Sequence, residues 1–197
     1  LNAYADMQYR IINYSINGID DDLRLITQSH EFNFFNPKLG VFYRPADGHE
    51  TYLSWSIANR EPNRSNYTDV PPGKELPVAE QVSDIELGYK LNTSKYVAGV
   101  NFYFMDYTNQ LILTGELNDV GSAIMTNVKS SYRAGIEIVA GAKLHKTLRW
   151  DVNATLSQNK ISDFVEYVEN WDTGTQDPFE LGETTIAFSP SVVANSQ

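Results

Sequence analysis

Apolar and polar residues alternate with period two along almost the whole chain, the signature of strands with one buried or apolar face. Eight runs carry the pattern, over residues 1–11, 35–44, 51–60, 84–91, 96–105, 131–141, 148–157 and 186–194. In the run at 96–105, for example, Tyr96, Ala98, Val100, Phe102 and Phe104 share one side. Across all eight runs that side carries no charge. The opposite sides hold twelve: Asp6, Arg10, Lys38, Arg44, Arg60, Asp84, Glu86, Lys90, Arg133, Glu137, Arg149 and Asp151. A dry sandwich core would not accept them, so one face must meet an apolar medium while the other stays wet.

The connections alternate as well. Short, turn-rich links run over 45–49, 92–95 and 143–147, whereas long ones run roughly over 12–34, 61–83, 105–130 and 158–185, parts of which extend the strands. Short links at one rim and long loops at the other predict an all-β, antiparallel up-and-down transmembrane barrel wall. Tyr43, Tyr89, Tyr96 and Trp150 fall on the uncharged side near short turns, where an interfacial aromatic girdle is expected; ordinary β-propensity is the competing explanation.

Composition adds exclusions. The 197 residues include 12 Tyr, 9 Phe and 3 Trp, too aromatic for disorder, and no cysteine, which removes disulfides and thiol chemistry. A net charge of −10 argues against nucleic acid as a partner. No window suits a helical membrane span, and a mean hydropathy of −0.37 says little about alternating strands. The chain starts and stops inside alternating runs and reads as an internal fragment.

Candidate chemistry is sparse. His30, His49 and His145 lack metal-ligand spacing and read as solvated surface residues. Asp20-Asp21-Asp22 reads as a solvated acidic tip, with calcium binding as the alternative. Gly115-Glu116-Leu117-Asn118-Asp119-Val120-Gly121 lacks the lysine of a nucleotide loop, and nothing calls for a catalytic site, metal or cofactor. Arg60-Glu61-Pro62-Asn63-Arg64 with Tyr67 is more telling. Two guanidiniums beside Glu61 point to an ion-pair cluster at a strand end, and Arg60, Arg64 and Tyr67 are candidate ligand contacts.

Several of these segments resemble the barrel of TonB-dependent outer-membrane receptors, most closely the Bacteroidetes-type versions. They are Phe34-Phe35-Asn36-Pro37-Lys38-Leu39-Gly40-Val41, Ala58-Asn59-Arg60-Glu61-Pro62-Asn63-Arg64, Ile85-Glu86-Leu87-Gly88-Tyr89-Lys90 and Asn101-Phe102-Tyr103-Phe104-Met105-Asp106-Tyr107 with Asn109-Gln110-Leu111. The resemblance spans essentially the whole chain. It implies that residues 1–197 supply about eight strands of a barrel of about 22, without the plug domain, the N-terminal energy-coupling box or the C-terminal strands. It also implies a place in the outer membrane of a Gram-negative bacterium, with lipid around it. The implied function is active import of a ferric siderophore, a cobalamin-like cofactor or an oligosaccharide, driven by TonB. Arg44, Glu86, Lys90, Arg133 and Glu137 would then face the lumen, pairing with the plug or with neighbouring strands. The competing architecture is a soluble, glycan-binding β-sandwich, which requires two sheets with apolar faces in contact.

Overall fold

The computed structural model describes residues 1–20 and 23–197. It contains one antiparallel sheet, built from β1 (Asn2–Ile16), β2 (Gln28–Tyr43), β3 (His49–Arg60), β4 (Glu80–Asn92), β5 (Tyr96–Leu117), β6 (Ala123–His145), β7 (Leu148–Asn170), β8 (Thr175–Thr185) and β9 (Val192–Ser196). Strands β1 to β8 lie in sequence order, each beside its predecessor. Strand β9 returns along β7, pairing with Val152 to Leu156, while β8 pairs with the far half of β7. The two pieces therefore form one eighth strand, broken at residues 186–191. Among the described residues there is no second layer for the sheet to pack on, which disfavours the sandwich alternative.

Register turns the alternation into two continuous surfaces. Ala3, Val41, Leu53, Leu87, Phe102, Ile136, Leu156 and Val192 stand opposite one another across the sheet. One residue away on the other face lies the row Tyr4, Gly40, Ser54, Glu86, Tyr103, Gly135 and Ser157. The first surface is apolar yet uncovered: Leu53, Leu87, Phe102 and Leu156 keep 47%, 49%, 46% and 48% exposure. A contiguous apolar face of this extent requires an apolar surrounding.

At the short-turn rim, the β2–β3 link is closed against β4. The Asn92 N–H donates to Gly48 O at 2.7 Å, and a Cβ on Gly48, whose φ is +77°, would lie 2.5 Å from Asn92 O. On the polar face, tyrosines lie over glycines of the next strand, Tyr4 over Gly40, Tyr52 over Gly88 and Tyr103 over Gly135. A Cβ at Gly40 or Gly135 would meet its tyrosine at 2.5 Å, so only glycine leaves room for the flat ring.

At the other rim the strands are unequal. The 22 and 23 residues of β5, β6 and β7 rise beyond the 12 and 13 of β3 and β4. Consequently most of the expected loops at 105–130 and 158–185 are sheet, leaving tight links at 118–122 and 171–174. Asn109 and Asp163, at φ +56° and +53°, mark irregularities where β5 and β7 extend; Asn and Asp tolerate that conformation best among residues with side chains. A small core of Ile112, Val128, Ile161 and Ile186, with Phe164 against it, packs there. The step above β3 and β4 is filled by residues 61–79, including the one-turn helix α1 (Arg64–Thr68).

Candidate functional site

The outer face defines a membrane band. It runs from Tyr96 to Phe104 in β5 and from Tyr132 to Ala142 in β6, and nine to eleven residues is the length a tilted strand needs to cross hydrocarbon. Tyr43, Tyr89, Tyr96 and Trp150 all lie on this face near the short turns, with 48%, 38%, 55% and 48% exposure. Tyr89 holds His49, whose Nδ1 lies 2.7 Å from the phenol oxygen. At the opposite edge of the band stand Tyr9, Trp55 and Tyr132, a second aromatic set the sequence reading overlooked. Tyr9 donates to Asn33 Oδ1 and Trp55 to Ser83 Oγ, at 3.2 and 3.1 Å. Their signal was available: aromatics on the uncharged side, one membrane span away from the first set.

Above this edge the alternation reverses in β1 and β2. Asn13, Ser15, Glu31 and Asn33 now point outward and are exposed, while Ile12, Tyr14, Ile16, His30, Phe32 and Phe34 point inward. Strands that leave lipid have no reason to stay apolar outside, and their inner faces are covered here by the 61–79 segment.

The polar face carries Arg44, Glu86, Lys90, Arg133 and Glu137, held mostly by the wall itself. Arg44 lies 3.6 Å from Glu50 and over the Phe42 ring. Lys90 sits over Tyr52, whose hydroxyl donates to Asn101 Oδ1 at 3.1 Å. Asn101 Nδ2 donates to Glu137 at 3.4 Å, and Arg133 donates to Ser189 Oγ at 3.3 Å. Glu86, Arg133, Glu137 and Asn101 line a cavity of about 350 Å³ closed on one side by residues 188–190. Phe188 there is 96% exposed with φ +57°.

The outward segment departs from expectation. Arg60 and Arg64 do not converge on Glu61. Glu61 takes Arg10 of β1 at 2.7 Å, and Arg60 takes Glu80 of β4 at 2.6 Å. Glu80 is buried and accepts the Leu111 N–H at 3.0 Å through its other oxygen. Nearest-in-sequence reasoning missed both partners, because they come from strands brought alongside only by the register. Arg64 is exposed and carries no ion pair among the described residues.

Helix α1 is started by Asn63, whose side chain accepts the Asn66 N–H at 3.0 Å while Asn66 Oδ1 accepts the Asn63 N–H at 2.9 Å. This turn presents Tyr67 inward. Its ring stacks on His30 at 3.9 Å and is 3% exposed. His30 is thus a packed residue rather than a solvated one, because the short helix covers it. Burial, then Tyr14 and Glu61, push the Tyr67 phenol up to about 12. Burial also lowers the His30 pKa. Tyr67 is therefore an anchor of the segment, with no exposed face for a ligand. Arg24 and Asn118 donate to Thr68 O and Asp69 O at 3.5 and 3.3 Å, clamping the end of α1 from both sides. Of the acidic tip, Asp21 and Asp22 lie outside the described residues, and Asp20 pairs with Arg24 at 2.7 Å. His145 is exposed, beside Thr147.

The arrangement can separate lipid from an aqueous interior and display polar loops at one rim, and known proteins share it. The family model described as TonB dependent receptor-like, beta-barrel matches residues 7–195. No curated protein sequence matches the chain. The ferric yersiniabactin uptake receptor FyuA from Yersinia pestis shares the fold with a TM-score of 0.63 at 14% identity, over 86% of this chain and 23% of that one. The ferric-catecholate import receptor Fiu from E. coli K12 gives 0.60 at 13%, over 96% and 27%. The FrpB iron transporter of Neisseria meningitidis gives 0.59 at 16%, over 82% and 24%. This chain therefore spans about a quarter of each of these relatives. Since the family match covers almost every residue and the sheet has the order such a barrel requires, the chain belongs to the TonB-dependent receptor β-barrels of the Gram-negative outer membrane.

Proposed function

We infer that the chain is one arc of an outer-membrane receptor that imports a scarce nutrient with energy delivered by TonB, and that it has no enzymatic role. The observation that carries this reading is the register: within the band, one face is uncharged and uncovered from β1 to β9, while the other bears the charges. A ferric siderophore is the leading ligand, supported by the uptake of ferric complexes named for FyuA and Fiu. A cobalamin-like cofactor or an oligosaccharide is the alternative. Arg64, and the open part of Arg60, contact the ligand from the outward segment, while Tyr67 positions that segment. Arg44, Glu86, Lys90, Arg133 and Glu137 line the hydrated interior against the plug of the complete receptor, and Tyr43, Tyr89, Tyr96 and Trp150 form the lower girdle in the lipid interface.

The test is genetic. Deleting the gene for the full receptor should slow growth when iron is supplied only as ferric siderophores, and complementation should restore it. Unchanged growth under iron limitation, with a defect on cobalamin or glycan as sole source, would transfer the assignment to that ligand.

A further inference from the structure

Charge is distributed unevenly between the two rims. Segments 12–34, 60–83, 106–130 and 158–185 hold 18 of the 25 acidic residues but 6 of the 15 basic ones, a net −12, whereas the rest of the chain is net +2. The net negative charge of the chain thus lies at the rim with the long connectors. It is densest on the β7–β8 hairpin, which bears Asp163, Glu166, Glu169, Asp172, Asp177, Glu180 and Glu183 against Lys160 alone.

The basic groups at this rim are mostly committed. Arg24 holds Asp20, Arg60 holds Glu80, Lys74 holds Glu116 and Lys160 holds Glu183. Among the described residues only Arg64 and Lys129 lack an ion pair there. An anionic ligand would need convergent, unpaired guanidiniums, and this wall offers one. It would also approach through a negative field that acts over the whole rim rather than at any single carboxylate.

We propose that the outward rim is a charge filter, concentrating cationic solutes at the mouth of the barrel and holding off polyanions. This rests on the reading of the long-connector rim as the outward one, and it concerns the approach of solutes to the mouth rather than the ligand contacts at Arg60 and Arg64. The short-turn rim, over residues 44–50, 90–95 and 143–151, holds six basic residues (Arg44, Lys90, Lys95, Lys143, Lys146 and Arg149) against three acidic ones (Asp47, Glu50 and Asp151), so the two rims are opposite in sign, which supplies an internal control.

The chain has no cysteine, so single thiols report local potential in the full-length receptor, stripped of any native cysteine, in non-ionic detergent. Thr173→Cys at the β7–β8 link and Ser65→Cys on α1 sample the outward rim, and Thr147→Cys the short-turn rim; all three positions are exposed. The probes are trimethylammonium-bearing and sulfonate-bearing methanethiosulfonates, compared with a free cysteine peptide. At the outward sites the cationic reagent should be favoured on the order of tenfold at low salt. The preference should collapse between about 0.01 M and about 1 M salt, as the screening length falls from ~30 Å to ~3 Å. It should shrink at Thr173→Cys when Glu166, Glu169, Asp172 and Glu180 are changed to Gln or Asn, and should be absent or reversed at Thr147→Cys. Equal rates at both outward sites, faster reaction with the sulfonate, or a preference indifferent to salt would overturn the proposal. The readout needs no transport, so a receptor that imports nothing would defeat the functional reading and leave this result standing.

Discussion

Glu80 holds two groups that are far apart in sequence: one oxygen takes the Arg60 guanidinium, the other the Leu111 N–H. Glu80→Ala leaves a buried N–H unsatisfied, a loss of about 1–3 kcal/mol. In the full receptor the Leu111 amide should exchange hydrogen roughly tenfold faster or more, read by mass spectrometry, while amides of β1 are unaffected. A second residue-scale outcome concerns His30. Its pKa is lowered from 6.5 by burial, so the packed state favours the neutral ring. The associated stability is complete above about 6.5 and is lost as pH falls through the lower value of the packed state. Protease cutting within residues 61–79 should therefore rise on acidification toward pH 5, and His30→Phe, which keeps the stack, should flatten that dependence. Cutting that remains pH-dependent in His30→Phe would place the titrating group elsewhere. Neither role was legible in the chain, because Glu80 and His30 acquire partners from segments tens of residues away.

Strands, by contrast, announced themselves. Period-two alternation marked β1 to β7 and the correct face of each, since an uncharged lipid side and a charged wet side leave a strong imprint on residue choice. Phe102→Arg places a charge in mid-band and should cost about 2–4 kcal/mol, seen as loss of the heat-modifiable folded species in unheated gels. Thr155→Arg, which points to the lumen one strand pair away, should assemble normally; equal damage from both would mean the faces are reversed. The alternation misled only at the ends. Where β5 to β8 rise above the membrane, apolar residues turn inward beneath the connectors, and the pattern no longer separates lipid from water. The eighth strand was misplaced for a related reason: its break at 186–191 puts Phe188 and Pro190 in a reading frame that mimics a strand.

At the scale of the molecule, the sheet is open, with β1 and the β8–β9 line as unpaired edges. Residues 1–197 produced alone should therefore associate through those edges. Light scattering behind size exclusion in detergent would show dimers or larger species, and a monodisperse monomer would contradict it. The architecture was readable because connector length alternates with rim; the clamped 61–79 segment was not, since its fastening comes from Arg10, Arg24, Asn118 and Asn127, none of them a neighbour in sequence. The glycines beneath Tyr4, Tyr52 and Tyr103 have a further effect at this scale. Each phenol reclines in a dent instead of standing upright, so the barrel keeps aromatic cover on its inner surface without surrendering bore. An alanine in any of the three dents would prop its ring upward and narrow the passage at that height.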